Sequence, residues 1–315
     1  MTLTELKYIV AVAREKHFGH AAEACFVAQP TLSVAIKKLE DELGVTLFER
    51  GGSEISMTPL GAQIVAQAER VLEQTAAIKE IAKQNKDPLA GPFRLGIIYT
   101  IAPYLLPSLV KTLIERVPQM PLVLQENFTV KLVELLRAGE LDAIIVALPF
   151  PEQGLMVQPV YDEPFVVAVP KGHPWTKRDS IASDDLKSET MLLLGNGHCF
   201  RDQVLEVCPE MARFSTSGDG IARTFEGSSL ETIRHMVASG IGITVLPEGS
   251  VPDIHTKEGM LRYVPFADPV PSRRVVIAWR KSFTRGAAIE AVRQALLSCE
   301  LPNVTMLPDA AGTEA

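Results

Sequence analysis

The chain has 315 residues, 47% of them hydrophobic and 22% charged, with a formal net charge of −7. That length suggests two or three domains of ordinary size, and the composition excludes disorder as the main theme. The negative balance argues against a nonspecific nucleic-acid coat, so any affinity for DNA must come from a local arrangement.

In chain order, residues 1–7 lack the basic start and apolar run of a signal peptide, which points to the cytoplasm. Leu3, Leu6, Ile9, Val10 and Ala13 then recur at helical spacing, with Thr2 or Thr4 available as a cap. A short Ala-rich helix at 21–25 follows the break at 17–20. After a turn at 27–29, a third helix opens on Pro30 and Thr31, carries Leu32, Ile36, Leu39 and Leu43 on one face, and stops at Gly44. β-prone pieces at 45–48 and 54–57 flank Gly51 and Gly52 as a small hairpin or wing. A long helix starts at Thr58 and Pro59. Its positions Ile64, Ala68, Val71, Thr75 and Ile78 alternate four and three apart, which is the seam of a coiled coil. The plainer alternative is one amphipathic helix packed on its own domain. Residues 87–92 form the clearest linker.

From Phe93 the rhythm changes to strands at 93–99, 122–128 and 141–148 alternating with helices at 102–117 and 131–138. This predicts a parallel sheet of the open α/β kind. The apolar run 141–150 is far short of the roughly 20 residues that a membrane span needs. A second unit, about 165–266, holds strands at 165–169, 191–194 and 242–246, with helices near 201–207 and 229–239. Strand 275–279 and helix 284–299 look like a return to the first unit, so two crossings would make two lobes. The tail beyond Leu301 reads as mobile.

Two constellations carry chemistry. The first is the short helix, tight turn and helix opening on Gln29, Pro30, Thr31 and Ser33, a helix-turn-helix pattern whose second helix enters a major groove by its N-terminal end. Those four residues are placed to meet base edges or phosphates, while Lys37 and Arg50 would pair with phosphates. A plain helical bundle would share the same apolar spacing.

The second constellation surrounds two of the four cysteines. Cys199 falls near the expected start of a helix that Pro209 terminates, with His198 and Arg201 beside it. Helix starts and cationic neighbours favour a thiolate in general. Cys208 is at the far end. Nine residues of helix span about 13.5 Å, whereas bridged Cα atoms sit roughly 4.4–6.8 Å apart, so a bond between the two requires the segment to unwind. On spacing alone, two buried thiols are the plainer reading, and Cys25 and Cys299 read as packing residues. Thr100 and Thr129 each follow a parallel strand and precede a helix, at the sheet edge where open α/β folds bind ligands. Helix capping is their alternative role. The histidines are scattered, so no metal and no cofactor is expected.

The run FGHAAEACFVAQPTLSVAIKKLEDELGVTLFER, followed by Met57-Thr-Pro-Leu-Gly61, closely resembles the N-terminal domain of LysR-type transcriptional regulators, and the resemblance extends over the whole chain. It implies an N-terminal all-α winged helix-turn-helix with a long linker helix, then an α/β two-lobed effector domain like a periplasmic binding protein. The expected division is 1–58 for the DNA-binding domain, 59–87 for the linker and dimerisation helix, and 88–92 for a hinge. Residues 93–302 would be the regulatory domain, with lobe I at 93–162 and 268–302, lobe II at 163–267, and a flexible tail at 303–315. The resemblance implies a homodimer through the linker helices, assembling into a homotetramer on interrupted palindromic double-stranded DNA.

The segment around Cys199 resembles the sensing segment of the peroxide-responsive members of that family. In this resemblance Cys199 is the peroxidatic thiol and Cys208 its resolving partner. Thr100, Thr129 and His198 would hold hydrogen peroxide beside Cys199, with Arg201 and Asp202 assisting. It implies activation of oxidative-stress genes through RNA polymerase, reset by a thiol reductase, and neither a membrane partner nor an enzymatic role. Two rivals stand beside it. A metabolite-responsive regulator would keep its response in Cys199→Ser, and a thiol peroxidase would turn over peroxide without DNA.

Overall fold

The computed structural model describes residues 1–49, 55–83, 89–209, 224–227, 229–251 and 259–307. The chain divides into two compact units: residues 1–86 with 137–139 and 282–284, and residues 87–136, 140–281 and 285–315.

The first unit begins with α1 (Leu3–Glu15), closed by a capping box in which the Thr2 hydroxyl accepts from the Glu5 N–H and the Glu5 carboxylate accepts from the Thr2 N–H. α2 (Phe18–Ala24) and α3 (Gln29–Leu43) follow, and α3 ends on Gly44 at φ 67°, a left-handed turn that suits glycine. Ile9, Val12, Ala21, Leu32, Ile36, Leu39 and Leu47 are fully buried and form one core. The Glu40 carboxylate accepts from the N–H groups of Leu47 and Phe48, which steers the chain from α3 into the wing. That wing is shorter than expected: β1 (Phe48–Glu49) pairs antiparallel with β2 (Ser56–Met57) over two residues each. Arg50 and the predicted glycine turn lie outside the described residues.

α4 (Pro59–Lys83) is the long helix predicted from Thr58 onward. Its predicted seam needs correction. Ala68, 2% exposed in the single chain, is packed into the same core as α1 and α3, together with Val65. Ile64 and Val71 are half-buried against that core, so the first turns of α4 serve their own unit. Thr75 is half-buried with its hydroxyl donating to the Val71 carbonyl, and Ile78 is 66% exposed. Only the far part of the seam is available to a second chain.

The second unit opens with β3 (Phe93–Ile98), α5 (Ala102–Arg116), β4 (Leu122–Asn127), α6 (Thr129–Arg137) and β5 (Ala143–Ala147). β3 pairs in parallel with both β4 and β5, and Gly96 lets Leu132 of α6 and Leu141 close on the sheet where a Cβ would meet them at 2.7 Å. The sheet is mixed rather than wholly parallel. β6 (Leu155–Pro170) runs sixteen residues without a break, pairing antiparallel with β11 (Ser272–Arg280), which in turn pairs antiparallel with β5. The predicted strand at 165–169 is therefore the far half of a longer one, and it carries the chain from lobe I into lobe II.

Beyond Phe165, β6 pairs with β9 (Thr244–Pro247) and β10 (Leu261–Pro265). Lobe II also holds β7 (Met191–Leu194), parallel to β8 (Thr224–Gly227), with α7 (Cys199–Val207) and α8 (Leu230–Ala238). β11 and α9 (Gly286–Leu297) return to lobe I. The expectation of a free tail beyond Leu301 fails as far as residue 307. β12 (Thr305–Met306) pairs with Asp162 and Tyr161 of β6, and the Leu307 N–H donates to the Val160 carbonyl.

Candidate functional site

Two parallel strands, β3 and β4, end with the same dipeptide logic: an aromatic residue and then a threonine. Tyr99-Thr100 and Phe128-Thr129 leave the sheet side by side, and Gly197, at φ 97°, turns the chain so that His198 starts α7 against them. The His198 ring packs edge-on to Phe128 with centroids 4.8 Å apart, and Tyr99 stands 5.3 Å from Phe128. Together with Ile98, Asn127 and Cys199 these residues line a cavity of about 10 Å³, room for one water-sized guest.

The two threonines differ. Neither caps a helix. The Thr100 hydroxyl accepts from Arg273 Nη1 at 2.8 Å, and its carbonyl accepts from Arg273 Nη2 at 3.1 Å. The Thr129 hydroxyl is buried and has no hydrogen-bond partner among the described residues. A buried hydroxyl without a partner is a cost to the fold, and a polar guest in the cavity would relieve it.

Behind the cavity lies a buried charged pair that sequence reasoning missed. Arg273 Nε donates to Glu163 Oε2 at 2.6 Å, and Glu163 Oε1 accepts from the Gly249 N–H at 3.0 Å. The Arg273 guanidinium also lies 5.2 Å from the centroid of Phe200, the residue after Cys199. One side chain thus ties Thr100 of lobe I to Glu163 at the crossing strand and to the first turn of α7. Gln203, one turn further along α7, donates to the Leu148 carbonyl at 2.8 Å.

The two cysteines occupy opposite ends of α7. Cys199 is its first residue and half-buried. Cys208 is the residue that caps its end, its N–H donating to the Val204 carbonyl, and it is 2% exposed within the lobe II core. The helix is continuous over Cys199–Val207, and no disulfide joins the two cysteines. Burial pushes the Cys25 and Cys299 thiols up; at Cys25, Arg14 and Lys7 pull weakly the other way, as Ser108 and Arg116 do at Cys299.

Of the residues expected around Cys199, the structure brings together Thr100, Thr129 and His198. It does not bring Arg201 or Asp202 into the cavity lining. Arg201 is two residues on, about 200° around the helix axis from Cys199, and Asp202 is exposed. The aromatic–threonine repeat at the strand ends was a signal for Tyr99 and Phe128. Arg273 offered only a basic residue at the head of an apolar strand.

In the first unit, Gln29, Pro30, Thr31 and Lys37 are exposed on α3, and Ser33 is half-buried. Pro30 sits in the first turn of α3, where its missing N–H costs nothing. No group of three or more metal-ligating side chains exists among the described residues, and no described helix is long and apolar enough to cross a membrane.

Residues 3–62 match the family model of bacterial regulatory helix-turn-helix proteins of the lysR family, and residues 86–298 match the LysR substrate binding domain. The chain belongs to the LysR family of bacterial transcriptional regulators. Within it, the chain is similar to the DNA-binding transcriptional dual regulator OxyR of Escherichia coli K12, 38% identical over 296 residues that cover 94% of this chain and 95% of that one. The hydrogen peroxide-inducible genes activator of Pectobacterium carotovorum is 40% identical over 280 residues, 89% of this chain and 90% of the relative. Among solved structures, a full-length cysteine-to-aspartate variant of OxyR from Pseudomonas aeruginosa is 54% identical with a TM-score of 0.66, covering 95% of this chain and 99% of its own. A cysteine-to-serine mutant of OxyR from Corynebacterium glutamicum, with hydrogen peroxide bound, is 33% identical with a TM-score of 0.61, covering 94% and 91%.

Proposed function

We propose that this chain is a transcriptional regulator that senses hydrogen peroxide through Cys199 and resolves it with Cys208. The observation that carries the reading is the cavity where Cys199, His198 and two threonines converge on room for one small polar guest. Thr100, Thr129 and His198 hold the peroxide, with Arg201 and Asp202 assisting from outside the cavity lining.

The Cys199 thiolate attacks one peroxide oxygen and the O–O bond breaks. Sulfur is oxidised to a sulfenic acid, and the departing hydroxide takes a proton to become water. The Cys208 thiol then attacks that sulfur, the S–O bond breaks, a second water leaves, and a disulfide forms. Across α7 the two residues stand about 13.5 Å apart, so the second step unwinds the helix and repacks lobe II. The repacking reorients subunits on DNA.

Gln29, Pro30, Thr31, Ser33, Lys37 and Arg50 would bind an interrupted palindrome. Thr75 and Ile78, in the far part of the α4 seam, would join a cytoplasmic homodimer, two of which form a tetramer. Recruitment of RNA polymerase then activates defence genes, and a thiol reductase resets the pair. The domain division is proposed at the boundaries expected from the sequence, except that residues 303–307 belong to lobe I.

A peroxide titration tests this reading, with the Cys199–Cys208 bond followed by mass spectrometry and the DNA footprint followed in parallel. Both are expected to change together at stoichiometric peroxide. A footprint unchanged at full disulfide formation would contradict the proposal.

A further inference from the structure

α3 buries Leu32, Ile36 and Leu39 completely, and these three fix which face of the helix meets the core. The opposite face carries Thr31, Val34 and Lys37 three residues apart, one line along the helix surface. Val34 is 69% exposed and has no place in the core of its own unit. Valine is one of the weaker helix formers, because its branched Cβ loses rotamer freedom against the preceding turn, so this position is not explained by helix stability. Nor is it part of an apolar patch: among the described residues of α3, the only other large exposed apolar side chain is Leu43, nine residues away at the helix end.

We propose that Val34 is a specificity residue that reads the 5-methyl group of thymine in the major groove. The inference rests on the reading of α3 as the DNA-facing helix and names what one side chain recognises there. The line on which Val34 sits is otherwise polar and basic, with the Thr31 hydroxyl on one side and the Lys37 ammonium on the other, the complement of base edges and phosphates. In a major groove so framed, the thymine methyl is the one apolar group on offer, and a side chain without donors or acceptors discriminates by meeting it. Thr31, Ser33 and Gln29 can hydrogen-bond to base edges, and Val34 cannot; its contribution is a contact that cytosine in the same place lacks.

The test uses the full chain and duplexes that it selects itself from a random-sequence library. Each thymine of the selected duplex is replaced by uracil, which deletes only the methyl, in symmetric pairs across the two half-sites. Affinity is read by fluorescence anisotropy at several salt concentrations. At one symmetric pair, uracil is expected to weaken wild type roughly fourfold per half-site, the factor supplied by one buried methyl. Val34→Ser should bind the thymine duplex more weakly by a similar factor, lose the response to uracil at that pair alone, and keep the wild-type salt slope. A uracil response that persists unchanged in Val34→Ser, or a scan that is flat for wild type, overturns the assignment of Val34 while leaving DNA binding in place. If wild type enriches no duplex at all, the reading of α3 as a DNA-facing helix fails, and the inference with it.

Discussion

The two ends of α7 stand in opposite surroundings. At the start, Cys199 borders a recess lined by two threonines, a histidine and two aromatic rings, with one hydroxyl, that of Thr129, buried and without a partner among the described residues. At the other end, Cys208 is sealed in an apolar core with Phe200, Val204 and the strands of lobe II. The same residue type is thus placed where a small polar oxidant can enter and where it cannot. The difference teaches how the proposed mechanism would be ordered: on that proposal the first thiol reacts because of what surrounds it, and the second only after the structure around it gives way.

The sharpest way to break that comparison is to remove one thiol at a time. Cys199→Ser is expected to abolish the peroxide response completely and to leave the reduced footprint at any peroxide concentration. Cys208→Ser is expected still to react, accumulating sulfenic acid or its over-oxidised products on Cys199, detectable by dimedone labelling and mass spectrometry. A Cys208→Ser protein inert to peroxide would make the two ends equivalent.

Next in size is the pair that holds the polar end together. Arg273→Met leaves Glu163 charged and buried without its partner, at a cost of about 3–5 kcal/mol. Urea unfolding followed by the fluorescence of Trp175 and Trp279 measures it. A loss under about 1 kcal/mol would show that the pair is not what ties Thr100 to Phe200.

Thr129→Val separates chemistry from stability. Replacing an unpartnered buried hydroxyl by a methyl of similar shape should leave stability unchanged or raise it by about 1 kcal/mol. The same change should slow oxidation of Cys199 by about a hundredfold, the order that one positioned donor supplies. The oxidised end state, read as disulfide yield, should not change. An unaltered rate would remove Thr129 from the site.

The smallest effects belong to the remaining thiols. Burial pushes both Cys25 and Cys299 up, and Cys299 Sγ donates to the Ala295 carbonyl at 3.2 Å. Cys25→Ser and Cys299→Ser should each leave the peroxide response within about twofold of wild type, since a thiol held protonated is a poor nucleophile. A lost response in either variant would show a third thiol in the switch.

Much of the polar end was legible in the sequence because local rules place it. Thr100 and Thr129 come directly after strand runs, and Cys199 directly after a turn with His198, so strand and helix boundaries alone bring them to one sheet edge. Arg201 and Asp202 looked equally close in sequence, but helical rotation turns Arg201 away from the recess, and Asp202, on the face of Cys199, is exposed outside its lining. Arg273 and Glu163 were not legible, because they meet Thr100 and each other through pairing of β6 with β11, 110 residues apart in sequence. Similarly, the 3.5-residue rhythm of α4 marked an apolar stripe but not what covers it. Ala68 is taken by its own unit, while Ile78 is left exposed. Thr305–Met306 looked like a tail because a two-residue strand carries almost no periodicity, and only the edge of β6 specifies it.

The central claim is that oxidation cannot proceed to the disulfide with α7 intact. Hydrogen exchange at the backbone amides of residues 203–208, in the reduced protein and in protein whose Cys199–Cys208 bond has been verified by mass spectrometry, tests it most directly. In the reduced form these amides donate within the helix or, at Cys208, to the Val204 carbonyl, and they should exchange slowly. In the disulfide form they should lose that protection and exchange faster by at least tenfold, while the amides of β7 beside them stay protected. Equal protection of residues 203–208 in both forms, with the bond confirmed, would contradict the account.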